Sequence, residues 1–187
     1  MRAISLWQPW ATLMALGEKT WETRPYPLPK GLLHQWIAIH ATLHVERSAW
    51  SNPWIVQALA RFGITEGNAT GTPGYLPQRA IVAVVRFGGC SRAEDVAPEL
   101  SNQELALGNY AAGRWAWQRT DLVDLNNTPV QSVNGRQRFW TLTPAQDRAL
   151  AATLLNTGYR LPAELRQLAE RGAVTEGNPV RAKGGKR

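Results

Sequence analysis

The sequence predicts an α+β fold in which five or six short strands are interleaved with helices and followed by a helical extension. Three observations carry this. Residues 80–87 are apolar and largely β-branched, the mark of a buried strand. Helix starts recur as a capping residue followed by a proline at the first helical position, at Ser51-Asn52-Pro53 and at Thr143-Pro144. Beyond residue 143 the strand-like pattern stops and only helical signals remain. The 187 residues therefore divide into a domain over 1–142, a helical extension over 143–171 and a basic tail over 172–187 with too little to bury to stay ordered.

The chain in order justifies each element. Residues 3–6 read as the first strand, and Pro9 opens a short helix. Gly17 ends that helix, because glycine takes the left-handed C′ conformation at little cost. Period two follows, so Thr20, Glu22 and Arg24 share one strand face and Trp21 and Thr23 the other. Lys19, at the turn, can swing toward Glu22 and Arg24, so a lysine, a carboxylate and a guanidinium converge where a helix passes into a strand. After the Pro-rich loop 25–29, residues 36–40 form a strand ending at His40. His44 and Glu46 lie near it in sequence, but His34 is the only other histidine, too few ligands for a metal site. His40 is the best candidate for titration near neutral pH. A helix over 53–62 leads into a loop over 63–78, rich in glycine and proline and long enough to lie over a cleft. After the strand 80–87, Ser101 to Glu104 precede a short helical turn. A strand over 114–119 sets Trp115 and Trp117 on one face. Residues 129–133 read as another strand, with Asn134-Gly135 as a hairpin signal leading to Arg136, Arg138 and a closing strand over 139–142. Thr143 to Gln146 form a capping box for a helix to 156, and a second helix covers 162–171.

Composition limits the function. With 44% hydrophobic and 19% charged residues the chain is a soluble globular type, and no apolar run reaches bilayer length. Cys90 is the only cysteine, so neither an internal disulfide nor a thiolate metal cluster is available; a reduced, cytoplasmic setting follows. The net charge is +7, yet four of the cations lie in the tail, and residues 1–180 hold 17 basic against 14 acidic side chains. Binding of nucleic acid by the body must therefore rest on clustering. Nearly all the cations are arginines, which suit bidentate phosphate contacts and stacking.

Gly17-x-Lys19-x-x-Glu22-x-Arg24, after the strand and helix over 4–11, together with residues 36–41, 108–117 and 135–140 in that order, resembles the ASCH (activating-signal-cointegrator homology) family over roughly residues 3–142. The resemblance implies a PUA-like mixed β-barrel with flanking helices, the motif lining a positively charged cleft, and work on RNA or nucleotides. The expected ligand is single-stranded RNA or a nucleotide, held by Lys19, Glu22, Arg24, His40, Tyr110, Arg114, Arg136 and Arg138, with aromatic faces to stack on bases. No cofactor, metal or membrane is expected, and a monomer is.

The alternative is a metal-independent hydrolase, a ribonuclease or an amidohydrolase on acylated nucleosides. Lys19 would then be the base, Glu22 would share proton transfer, and Arg24 or Arg114 would hold the oxyanion. One branch resembling this family hydrolyses acylated cytidines through a lysine, a threonine and a downstream glutamate, and its threonine falls where this chain has Glu22. A third class is an interaction module docking through 143–171; Leu150, Leu154 and Leu155 are expected to pack on the barrel instead.

Overall fold

The computed structural model describes residues 1–67 and 75–174. Most of the expected basic tail, and the middle of the expected 63–78 loop, lie outside the described residues. Six strands form one mixed sheet: β1 (Arg2–Gln8), β2 (Trp21–Arg24), β3 (Trp36–Val45), β4 (Ala80–Arg92), β5 (Trp115–Asp124) and β6 (Phe139–Thr141). Their order is β2-β5-β4-β3-β1-β6, with β1 and β3 parallel and every other pair antiparallel. The helices are α1 (Trp10–Ala15), α2 (Pro53–Ala60), α3 (Ala93–Val96), α4 (Asn102–Ala106), α5 (Pro144–Asn156) and α6 (Ala163–Val174). The α+β class read from the sequence is the class observed.

The hydrogen-bond ladder does not close into a barrel, since β2 and β6 remain edges. Register shifts in β1 and β4 add local twist, and the sheet curls until side chains meet across the gap. Trp117 of β5 stacks on Phe139 of β6, ring centroids 5.5 Å apart. Arg24 Nη2 donates to the Ser5 carbonyl of β1 at 3.0 Å.

Alternation along the strands divides the core in two. Ile4 and Leu6 of β1, Ile37 and Ile39 of β3, and Phe87 and Trp117 face inward, where Ala11 and Met14 of α1 fill the curl. Ala3, Ala38 and Val84 face outward and are covered by Leu150 and Leu154 of α5 and Leu165 and Ala169 of α6. The extension thus buries its apolar stripe on the sheet, although Leu155 is left exposed. Arg86 clamps the pair further, with its guanidinium 4.6 Å from the Trp36 ring centre and ion-paired with Glu164. No helix among the described residues is long and apolar enough to cross a membrane.

Local chemistry explains most element ends. Asn52 caps α2 through Oδ1, which accepts from Trp54 N at 3.0 Å. Both halves of the Thr143/Gln146 capping box are formed. Pro9 lies just before α1, and the Gln8 side chain performs the capping, its Oε1 accepting from Thr12 N at 3.1 Å. Two expectations fail at the end of the sheet. Residues 129–133 make a single bridge, Val130 to Ile81, and Ser132 has φ +60°, so no strand forms. Asn134-Gly135 is not a hairpin either, because β6 pairs with β1. Gly135 is needed for close approach: a Cβ there would stand 2.3 Å from His40 Nδ1.

Leu154 tests how α5 is joined to the sheet. Leu154→Ala should lower the unfolding free energy by about 3 kcal/mol, the usual cost of a buried leucine truncation, and should shift one cooperative urea transition. An unmoved main transition would mean that the helical pair is an independent appendage.

Candidate functional site

The segment after α1 is positioned from three sides. Gly17 has φ +82°, the left-handed turn expected at the helix end. Lys19 N then donates to Leu13 O at 3.0 Å, drawing the chain back under α1. From the other side Glu104 of α4 holds the start of β2. Its two oxygens accept from Thr20 N at 2.8 Å, Thr20 Oγ1 at 2.7 Å, Trp21 N at 3.2 Å and the Tyr110 hydroxyl at 3.0 Å. Finally β2 pairs with β5, which sets Glu22 opposite Trp117 and Arg24 opposite Trp115.

Lys19 is only 1% exposed. Its ammonium donates to the Trp21 carbonyl and lies 3.9 Å from Glu22 Oε2. Glu22 Oε1 is 2.7 Å from Arg24 Nε. Burial pulls the Lys19 pKa below 10.5; Glu22 and Glu104 oppose that shift, and Arg24 and Arg114 add to it. Arg114 is held by the Asn109 carbonyl at 3.1 Å and the Thr23 carbonyl at 3.0 Å. Arg24 and Arg114 are therefore fixed in place, and each keeps N–H groups beyond those bonds.

These groups line a hollow of about 720 Å³. Lys19, Glu22, Arg24 and Arg114 supply its charge. Trp7, Trp10, Ile55 and Leu107 are apolar walls, and Asn52 and Asn109 offer amides. A second hollow, of about 820 Å³, adjoins it and shares Ser5, Trp7, Arg24 and Pro25. Its charged lining is Arg24, Arg79, Arg136 and Arg138, with no Asp or Glu.

The expected site residues are thus brought together in two groups that meet at Arg24. His40 lines the second hollow but is 2% exposed. Its Nε2 donates to the Val133 carbonyl at 2.9 Å, and Nδ1 faces Ser5 Oγ at 3.1 Å. Burial lowers its pKa below 6.5 against the opposing effect of that carbonyl, so the ring is neutral at pH 7 and supports the 133–136 loop. Tyr110 lines neither hollow. Its phenol is pushed far up, first by burial and then by Glu104, and it serves as a donor to that carboxylate.

Sequence reasoning missed Trp7, Arg79 and Glu104. The alternation of β1, with Ile4 and Leu6 inward, sets Ser5 and Trp7 on the opposite face. Ser101 three residues before Glu104 signals a cap, and Ser101 Oγ does accept from Glu104 N at 3.1 Å. Nothing local in the sequence tells that the Glu104 side chain also reaches Thr20. Among the described residues no group of three His, Cys, Asp or Glu side chains could hold a metal ion.

No protein-family model and no curated protein matches the chain. In structure the chain is similar to ASCH from Zymomonas mobilis, at 16% identity and a TM-score of 0.48, covering 81% of this chain and 93% of that one. Two single-residue mutants of that protein give TM-scores of 0.47 and 0.42 at 16% and 17% identity, again over 81% of this chain, with 94% and 96% of theirs covered.

The lowered Lys19 pKa has a thermodynamic signature. Between that lowered value and 10.5 the unfolded chain binds the proton that the folded chain has released, so unfolding free energy should rise with pH across this window. Urea titrations from pH 7 to 10.5 should show the rise in the wild type and a flatter profile in Lys19→Met. Equal slopes would mean that Lys19 is not desolvated in the folded protein.

Proposed function

We propose that the first hollow binds single-stranded RNA or a nucleotide, with Lys19, Arg24 and Arg114 facing phosphate and the aromatic wall facing a base. One observation carries the reading: three cations against a single carboxylate, fixed by backbone carbonyls, in a cavity of ligand size beside Trp7 and Trp10. Pre-positioned guanidiniums need little reorganisation to accept a phosphate, and tryptophan stacks on any base. Glu22 orients Arg24 and partly balances the buried ammonium.

The second reading, a metal-independent hydrolase, is favoured by the lowered Lys19 pKa beside Glu22. A lysine with a lowered pKa gives up its proton more readily and so is better suited to act as a base, and Arg24 or Arg114 could hold an oxyanion. Glu104 does not suit the part of a downstream glutamate in proton transfer, because its oxygens already accept four hydrogen bonds that hold β2 and Tyr110.

Binding of 5′-labelled single-stranded RNA and of nucleoside monophosphates tests the first reading. Lys19→Ala should weaken both by about 1–2 kcal/mol, the scale of a charge-assisted hydrogen bond. Wild-type affinity should fall as pH rises through the lowered Lys19 pKa, where the ammonium is lost. No saturable binding of either ligand would overturn the proposal. Glu22→Gln separates the two readings. In a binder it should change affinity little, whereas in an enzyme it should cut turnover of RNA or N4-acylcytidine by a factor of about 10² or more.

A further inference from the structure

The two hollows divide the chemistry between them. The first combines amides, aliphatic walls and two tryptophans with its charges. The second is acid-free and carries four arginines. A base wants flat apolar faces and amide edges, while a phosphodiester wants guanidinium. The wall common to both hollows contains one aromatic side chain, Trp7, and one cation, Arg24.

Trp7 is 54% exposed although it is the largest side chain on β1. Among the described residues its one ring neighbour is His44, at 4.4 Å between centroids and 60° between planes, an edge contact. A large apolar ring left half in water between two polar hollows is costly for a free protein and suits a stacking surface. Arg136 and Arg138 are exposed and have no carboxylate partner among the described residues. The loop that carries them is held by Ser5 Oγ, which donates to the Arg136 carbonyl at 2.9 Å, and by the close seat of Gly135 on His40. Arg79 is tied to the same loop, Nη2 donating to Asn134 Oδ1 at 2.7 Å. The loop and Arg79 are therefore held by built contacts, the Arg138 guanidinium lies 5.5 Å from the Tyr26 ring centre, and no acid lines this hollow.

We propose that the two hollows form one track for a single strand of at least three nucleotides. A base lies in the first hollow, Trp7 stacks as the partition, Arg24 contacts the linking phosphate, and Arg79, Arg136 and Arg138 form a subsite for the following phosphodiester. This rests on the reading above, that the first hollow binds nucleotides. It adds the ligand's minimum length, the stacking residue and the phosphate subsite.

The test uses the full chain and four probes: a nucleoside monophosphate, the matching nucleoside triphosphate, a dinucleotide and a hexanucleotide of single-stranded RNA, titrated at several salt concentrations. The hexanucleotide and dinucleotide should bind at least about tenfold tighter than the monophosphate. Arg136→Ala/Arg138→Ala should leave monophosphate affinity unchanged, weaken the hexanucleotide, and lower the magnitude of its log–log salt slope by about 0.7, one single-strand phosphate contact. Trp7→Leu should weaken the strand about fivefold or more, and Trp7→Phe should restore most of that loss, because only the latter keeps a stacking face. Monophosphate and hexanucleotide binding equally would overturn the track while sparing the nucleotide site. An unchanged salt slope in the double variant would remove the phosphate subsite. A triphosphate matching the hexanucleotide in affinity and arginine dependence would overturn the strand in favour of a nucleoside polyphosphate. Equal loss in both Trp7 variants would reject stacking. Absence of binding by all four probes would overturn the underlying nucleotide reading as well.

Discussion

A sheet whose ladder is left open must be held shut by something other than backbone pairing, and here the guanidinium of Arg24 does much of that work. The β1–β6 ladder ends at Ile4, and the carbonyl of the next residue, Ser5, accepts from Arg24 across the gap. A backbone acceptor near an edge that would otherwise look to water thus takes a side chain from the far end of the sheet. The same arginine is ion-paired with Glu22 and forms part of both hollows. Closure of the fold and construction of the candidate site therefore share one side chain. The stacked Trp117 and Phe139 supply the apolar half of the seam.

Burying an ammonium at Lys19 is the electrostatic counterpart of that seam. Desolvation of a charge costs several kcal/mol unless partners offset it. The partners here are the Trp21 carbonyl and Glu22, with Glu104 beyond. Glu104 itself is fully engaged, so it lends field rather than a free oxygen. The outcome is a lysine that gives up its proton more readily than a surface lysine. That is why a binding and a hydrolytic reading both attach to the same few atoms.

Most of the sheet and all the main helices were legible in the sequence, because capping chemistry and periodicity are local. Asn52, Gly17 and the Thr143/Gln146 box act on neighbours within a few residues. The strand limits were less legible. β4 runs on through Gly88 and Gly89 because its ladder with β5 continues past them, and glycines that read as a strand end serve as a bulge. Residues 129–135 were misread because their partners are remote: Val130 meets Ile81, and Gly135 meets His40. The candidate site shows the same split. Lys19, Glu22 and Arg24 share one short segment and could be grouped from spacing. Trp7 and Arg79 join the site only through the curl of the sheet, and Tyr110 was credited with a ligand when its hydroxyl is turned to Glu104.

Ser5 touches residues from nearly the whole length of the domain. Its hydroxyl meets the Arg136 carbonyl, 131 positions downstream, and the Trp140 indole, 135 positions downstream. Strand β1 is made before its neighbour β6 and the loop bearing Arg136 and Arg138, which follow about 130 residues later. A nascent chain cannot assemble the arginine-lined half of the groove until residue 140 has emerged. The surface described here belongs to the finished domain.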